Sequence, residues 1–160
     1  MDSEPDPQFT LPGATWTLRF SDQAAALMNS HRQKQWRQPE TVGQLFSPDL
    51  TSPTVQVFEA TVLTRVRASR TSVTSDPDEA AEQRNSKLAD GLHCIGLWHT
   101  HPEAAPKPSG TDERLAADHA TAAGSILNGL CFVIVGTGTF PKSWYVGVHD
   151  GRAFHSALRV

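Results

Sequence analysis

Residues 98–112 read WHTHPEAAPKPSGTD and place two imidazoles, a hydroxyl and a carboxylate close together in the chain. His99 and His101 are two positions apart, and Asp112 follows eleven residues after the second histidine. Successive side chains of a β-strand point to opposite faces, so histidines at this spacing share one face. Two imidazoles on one face can bind the same ion. A third protein ligand, with water in the fourth position, makes a catalytic zinc site rather than a closed structural one.

The residues between the histidine pair and Asp112 are suited to bring the three groups together. Three prolines within residues 102–108 predict a stiff loop after the strand. Ser109 is expected to cap the next helix and to aim its hydroxyl at the same point, with Asp112 in the first helical turn. We therefore predict that His99, His101 and Asp112 bind Zn²⁺. Zinc lowers the pKa of bound water toward about 7 and polarises a carbonyl group.

Each part of this stretch also has a plain alternative. Ser109 and Asp112 match an ordinary helix-capping pattern. His99 and His101 match surface histidines at the exposed end of a strand. Each alternative accounts for one feature alone, whereas the combination at this spacing favours the zinc site.

Composition limits the class of protein. The chain has 160 residues, enough for one domain, and its 14 Lys and Arg against 17 Asp and Glu give a net charge of −3. This balance predicts no nucleic-acid partner, which would require a basic surface. The acidic N-terminal residues and the short longest apolar run, residues 130–135, predict a cytoplasmic protein without a membrane span. Cys94 and Cys131 lie in strand-like runs and are predicted to be free thiols.

Hydrophobic periodicity predicts an α/β fold, a mixed β-sheet flanked by helices. We expect a loosely ordered segment over residues 1–13 and one domain over residues 14–160. Residues 67–75 are expected to be a loop. The expected strands are 16–20, 40–46, 54–66, 92–98, 130–135, 143–148 and 153–160, and the expected helices are 23–35, 77–88 and 110 to about 128.

The pattern His-x-His-Pro-x6-Ser-x-x-Asp resembles that of the JAMM (MPN-plus) metalloproteases, and it matches that pattern position for position. In that family a glutamate opens an upstream strand in a Glu-x-Gly-Gly-x-Leu setting. Residues 40–45 of this chain, Glu-Thr-Val-Gly-Gln-Leu, are similar, with Val42 in place of the first glycine. The resemblance implies a cytidine-deaminase-like (JAB) fold and assigns the role of general base to Glu40, ahead of Glu59 and Glu103.

The same resemblance implies hydrolysis of the peptide or isopeptide bond that follows the C-terminus of a ubiquitin-like protein. Glu40 would transfer the proton, and Ser109 would stabilise the developing oxyanion. The partner is expected to be a protein with an extended C-terminal tail, which adds a strand beside a sheet edge. Residues near Glu40 and the histidines look like those of bacterial stand-alone members that deconjugate proteins in antiphage operons of the CBASS type. Two alternatives stay open: a metal-free binding module of this fold, and a zinc hydrolase for a sulfur-carrier protein or a small amide.

Overall fold

A computed structural model of the protein describes residues 7–123 and 129–160. The helices within this part of the chain are α1 (Asp22–Ser30), α2 (Pro77–Ala89) and α3 (Gly110–Ala123). The strands are β1 (Gln8–Thr10), β2 (Thr17–Phe20), β3 (Val42–Ser47), β4 (Thr54–Val57), β5 (Glu59–Ala60), β6 (Val66–Ala68), β7 (Val73–Ser75), β8 (His93–Thr100), β9 (Leu130–Val135), β10 (Trp144–His149), β11 (Phe154–Ser156) and β12 (Leu158–Arg159).

The strands form two larger sheets and a hairpin. The six-stranded sheet has the order β11-β10-β9-β8-β3-β5, and its central strands β8 and β9 are parallel while its other pairs are antiparallel. The four-stranded sheet has the order β12-β1-β2-β4, and β6 pairs with β7. The predicted fold class, a mixed α/β domain with helices against its sheets, is confirmed.

Alternation along β9 divides the core into two layers. Cys131, Val133 and Val135 face the four-stranded sheet and α1. Phe132 and Ile134 point to the opposite face and pack beneath α3. Every residue of β9 is buried, as its continuous apolar run predicts. The predicted metal ligands lie on the α3 side, because His99 packs on Phe132 with the ring centroids 5.2 Å apart.

The N-terminal expectation is wrong where it can be checked. Residues 8–10 form strand β1 between β2 and β12, although we expected residues 1–13 to be loosely ordered. Phe9 supplies the physical reason, because it is 5% exposed and its ring packs edge-on against Phe20 at 5.5 Å. Residues 1–6 lie outside the described part of the chain.

Three other elements differ from the prediction, two of them because the chain moves between sheets. The expected strand 54–66 divides into β4, which pairs with β2, and β5, which pairs with β3. The expected strand 153–160 divides in the same way between β11 and β12. The expected loop 67–75 is mostly the β6–β7 hairpin, whose Val66 and Val73 pack onto a small apolar cluster.

The helix boundaries are partly as expected. Ser21 caps α1, and Asp76 caps α2, which begins at residue 77 as expected. Helix α1 ends at Ser30 instead of residue 35, because glutamine side chains bond the backbone of the following loop. The expected end of α3 near residue 128 lies outside the described residues. Cys94 and Cys131 are free thiols, as predicted. No helix in the described ranges has the length and apolarity needed to cross a membrane.

Candidate metal centre

The side chains of His99, His101 and Asp112 meet at one buried point. The Nε2 atoms of the two histidines are 2.8 Å apart. Oδ1 of Asp112 lies 3.1 Å from Nε2 of His99, and Oδ2 lies 3.2 Å from Nε2 of His101. Each of the three residues is at most 7% exposed. Within residues 7–123 and 129–160, no other group of three His, Cys, Asp or Glu brings its ligand atoms this close together.

The start of α3 fixes the Asp112 carboxylate. The backbone N–H of Ser109 donates to Oδ2 of Asp112 at 2.8 Å, and the backbone N–H of Asp112 donates to Oγ of Ser109 at 3.1 Å. This reciprocal pair is a capping box. The capping alternative and the ligand prediction therefore describe one geometry, because the cap holds the carboxylate where it faces both imidazoles.

The protonation of the three side chains suits cation binding. Burial lowers the pKa of His99 below its ordinary value, although Asp112 opposes this effect. Burial also acts to lower the pKa of His101, but the hydrogen bond and charge of Asp112, with the charges of Glu40 and Glu103, together raise that pKa. Burial opposes ionisation of Asp112, yet hydrogen bonds from His101 and His99 hold its pKa well below the usual range. An ionised carboxylate and neutral imidazoles are the forms that bind metal, so a cation bound here would displace any proton carried by the imidazoles.

A threonine connects the histidine pair to Glu40. Thr100 is fully buried, and its Oγ1 accepts a hydrogen bond from the backbone N–H of Thr41 at 2.9 Å. The backbone N–H of Thr100 donates to the carbonyl of Thr41 at 3.0 Å. Glu40 directly precedes Thr41 and is therefore held beside the end of β8. Sequence reasoning missed Thr100; the available signal was a hydroxyl residue on the strand face opposite the two histidines.

Glu40 and the three candidate ligands line the same cleft, which has a volume of about 730 Å³. Glu40 is 6% exposed, and burial raises the pKa of its carboxyl group to about 7. The positive charge of His101 opposes this rise, while Asp112 and Glu103 add to it. A carboxyl group with a pKa near 7 can both accept and release a proton near neutral pH.

The two alternative bases are placed less favourably. Glu59 lies on the edge strand β5, where it forms an ion pair with Lys87 outside the cleft. Glu103 lines the cleft, but its carboxylate approaches His101 from the Nδ1 side at 3.6 Å. Among the described residues, this buried Nδ1 atom has no hydrogen-bond partner. Glu103 therefore lies on the side of His101 from which an outer partner of a metal-bound imidazole approaches, without a hydrogen bond to it.

The structure also accounts for Val42, which stands where the resembling pattern has a glycine. Its side chain is 6% exposed and packs in the apolar cluster beneath α2. Gly43 has no such space, since a Cβ there would lie 1.7 Å from the carbonyl oxygen of Thr61 and 2.3 Å from Nε1 of Trp98. Trp98 is fully buried and donates from Nε1 to that same carbonyl at 2.7 Å. Only the second glycine of the pattern is required by this backbone.

Two cleft walls were not predicted as part of the site. Residues 71–75 of the β6–β7 hairpin form one wall, and the backbone N–H of Glu40 donates to the carbonyl of Ser69 in the same hairpin at 2.8 Å. Helix α2 contributes Arg84, whose Nη1 donates to Oε1 of the fully buried Gln44 at 3.0 Å. The positions of both walls depend on contacts between distant parts of the chain, which local sequence patterns do not specify.

The donor set fits a zinc ion. Two imidazole nitrogens and a carboxylate are separated by 2.8, 3.1 and 3.2 Å. Metal–ligand distances of about 2.0–2.1 Å place neighbouring ligands of a tetrahedral ion roughly 3.3 Å apart, close to these separations. Three protein ligands at the wall of an open cleft match the catalytic class of zinc site, in which water takes the fourth position.

Comparison with known proteins was consistent with this assignment. A family described as prokaryotic homologs of the JAB domain matches residues 23–147, a range that contains Glu40, Ser109 and the three candidate ligands. The solution structure of protein DSY2949 from Desulfitobacterium hafniense is similar to this chain, with a TM-score of 0.65 and 18% sequence identity. The alignment covers 87% of this chain and 88% of that one, and it shows a shared fold. No curated protein matches the chain.

Proposed function

The chain belongs to the prokaryotic JAB-domain family, and from this premise we propose that it is a zinc-dependent peptidase or isopeptidase. Membership of this family suggests a metal-dependent hydrolase-like fold, and His99, His101 and Asp112 could bind the metal. The observation that carries the proposal is the position of Glu40. A buried carboxyl group with a pKa of about 7 lies in the same cleft as the three ligands.

The proposed roles follow from the positions of the side chains. His99, His101 and Asp112 would hold the ion, and a bound zinc supplies Lewis acidity and a more acidic water. Glu40 accepts a proton from the attacking water and later delivers it to the leaving amine. The Oγ atom of Ser109 already accepts a hydrogen bond from the backbone of Asp112. Its hydroxyl hydrogen can therefore be donated to the developing oxyanion in the cleft, a contribution of about 3 kcal/mol.

The proposed substrate is a protein joined through its extended C-terminal tail, as in a ubiquitin-like conjugate. The cleft supports this choice, because its β6–β7 wall is a short two-stranded hairpin beside the candidate ligands. A tail can bind such an edge as an added strand. We further propose that this deconjugation takes place in the bacterial cytoplasm, with antiviral defence as its setting.

Cleavage of ubiquitin-like fusion proteins tests the proposal. We expect the zinc-loaded protein to cleave after the C-terminus of the ubiquitin-like part, a chelator to stop cleavage, and added Zn²⁺ to restore it. Glu40→Gln should retain stoichiometric zinc and lose turnover. Release of a small amide in preference to every fusion would favour the alternative zinc hydrolase. Protein purified without chelator that contains no metal would favour the binding module.

A further inference from the structure

Two segments of the chain concentrate its positive charge. Residues 31–39 and 60–75 contain six of the 14 Lys and Arg residues and none of the 17 Asp and Glu residues, although the net charge is −3. The structure joins these segments through Gln33, whose Nε2 donates to the carbonyl of Gln38 at 2.9 Å and to that of Arg70 at 2.8 Å. The loop after α1 and the tip of the β6–β7 hairpin therefore form one surface.

An exposed tryptophan stacked on an arginine lies in this surface. Trp36 is 75% exposed, and the guanidinium carbon of Arg70 lies 3.8 Å from its ring centroid. Lys34 and Arg37 are exposed beside it on the same loop. We call Lys34, Trp36, Arg37 and Arg70 the basic platform. In the described ranges of the chain, none of its three cations forms an ion pair with a carboxylate.

The cations of the platform differ from a nearby arginine that is paired with carboxylates. Arg65, at the base of the same hairpin, is neutralised by Asp76 and Glu82. The cations of the platform lack such partners, and a large aromatic ring beside them remains in water. Trp and Arg contribute most of the binding energy in many protein interfaces, and Arg binds carboxylates through paired hydrogen bonds. An acidic polypeptide is therefore the partner that this chemistry fits.

The platform suits a single-stranded nucleic acid less well. Such ligands are usually held by several aromatic rings in succession along a basic groove. The platform offers one ring, and Arg70 already covers one of its faces. The carboxylates of an acidic segment need only the exposed cations and the free face of Trp36.

The platform adjoins the candidate catalytic cleft. Arg70 directly precedes residues 71–75, which line the cleft. The carbonyl of the preceding residue, Ser69, accepts the hydrogen bond from the backbone N–H of Glu40 at 2.8 Å. A polypeptide bound on the platform is therefore next to the wall along which a tail would enter.

We propose that the basic platform binds an acidic segment of the same protein whose tail enters the cleft. This inference rests on the proposed function, since it gives the substrate a second contact outside the cleft. The loop is organised in advance, because the side chain of Gln38 accepts from the backbone N–H of Lys34 at 3.0 Å and donates to the carbonyl of Arg32 at 3.1 Å. Binding to such a loop loses little conformational entropy.

Fluorescence anisotropy with a fluorescein-labelled, glutamate-rich peptide tests the platform without any need for catalysis. We expect the wild-type protein to bind the peptide and the affinity to fall as salt is added. Arg70→Glu and Trp36→Ala should each weaken binding roughly tenfold or more. Arg152→Glu is the matched control, because it makes the same change of charge at an exposed residue in the turn between β10 and β11. It should bind the peptide within about twofold of wild type.

Three results would overturn the inference: no peptide binding, an equal loss in Arg152→Glu, or a preference for an oligothymidylate over the peptide. The inference and the proposed function fail separately. Peptide binding by a protein that cleaves no fusion rejects the function alone, whereas cleavage without peptide binding rejects the platform alone. In an active protein, Trp36→Ala should raise KM for a fusion that carries the glutamate-rich segment and leave kcat unchanged. An unchanged KM there would also reject the platform.

Discussion

Replacement of Glu40 by Gln should make the metal-free protein more stable. The same replacement should abolish turnover by the zinc-loaded protein. Burial raises the pKa of this carboxyl group from 4.5 to about 7. The unfolded chain therefore ionises at lower pH than the folded one. Between these two values the folded state holds a proton that the unfolded state has lost, and the stability of the wild-type protein falls as pH rises. A neutral glutamine does not titrate. The free energy of unfolding of the variant should therefore exceed that of wild type by an amount that grows between pH 4.5 and about 7 and is constant at higher pH.

The size of the effect follows from the shift. Each pKa unit corresponds to 1.36 kcal/mol, so a rise from 4.5 to about 7 costs the wild-type protein about 1 kcal/mol at pH 5 and about 3 kcal/mol at pH 8. These values are upper limits for the gain in the variant, because the buried amide of glutamine also loses contact with water. The variant is expected to be the more stable protein because Glu40 is only 6% exposed, and burial disfavours its charged form.

Urea unfolding of metal-free protein in EDTA measures the difference, with tryptophan fluorescence recorded at pH 5 and pH 8. Glu103→Gln is the matched control, because it removes a carboxylate of the same cleft whose side chain is 56% exposed. We expect a much smaller gain in stability from this control, because Glu103 makes the smallest of the contributions that raise the pKa of Glu40. A Glu40→Gln variant no more stable than wild type at pH 8, or with the same advantage at both pH values, would refute the idea that burial of this carboxylate is costly.

Three further substitutions test the surroundings of the site. Gly43→Ala should destabilise the fold by about 3 kcal/mol in denaturant titrations, because the added Cβ would overlap the carbonyl of Thr61. Gly110→Ala is the control and should not destabilise the fold, because no atom lies within 4 Å of its added Cβ. Thr100→Val should leave zinc bound but lower kcat and cost about 1–2 kcal/mol of stability, because it removes the acceptor for the Thr41 N–H. Thr100→Ser keeps a hydroxyl group and should restore kcat and stability. Glu103→Gln should weaken zinc affinity about tenfold in a chelator competition, because the Glu103 carboxylate lies beside His101. An unchanged affinity would show that Glu103 does not support zinc binding.

The sequence predicted elements that depend on local signals better than those that depend on distant ones. The buried strand β9 and the start of α2 at residue 77 follow from neighbouring residues alone, and both are confirmed. Strand β1 was missed because only its contact with distant strands makes the short segment 8–10 a strand. The hairpin over residues 66–75 was missed for a similar reason, since Val66 and Val73 are buried by a cluster from other elements.

The residues of the candidate site also differ in whether local sequence or long-range pairing places them. His99, His101 and Asp112 are brought together by a strand end, a loop and a helix cap that are consecutive in the chain, so their spacing was informative. Glu40 reaches them only through the antiparallel pairing of β3 with β8, which no local pattern specifies. Its assignment before the structure was known depended on the resemblance to a family.

The register of β3 against β8 is therefore a condition for the proposed catalysis. A slip of one residue in this pairing would turn each side chain of β3 to the other face of the sheet. The three ligands would stay together, because they lie outside β3, but the backbone that carries Glu40 would shift along β8. Gly43 opposes such a slip, since only a residue without a Cβ fits against the Thr61 carbonyl and Trp98. The glycine thus keeps the proposed base beside the candidate ligands, and its substitution should reduce turnover even where zinc still binds.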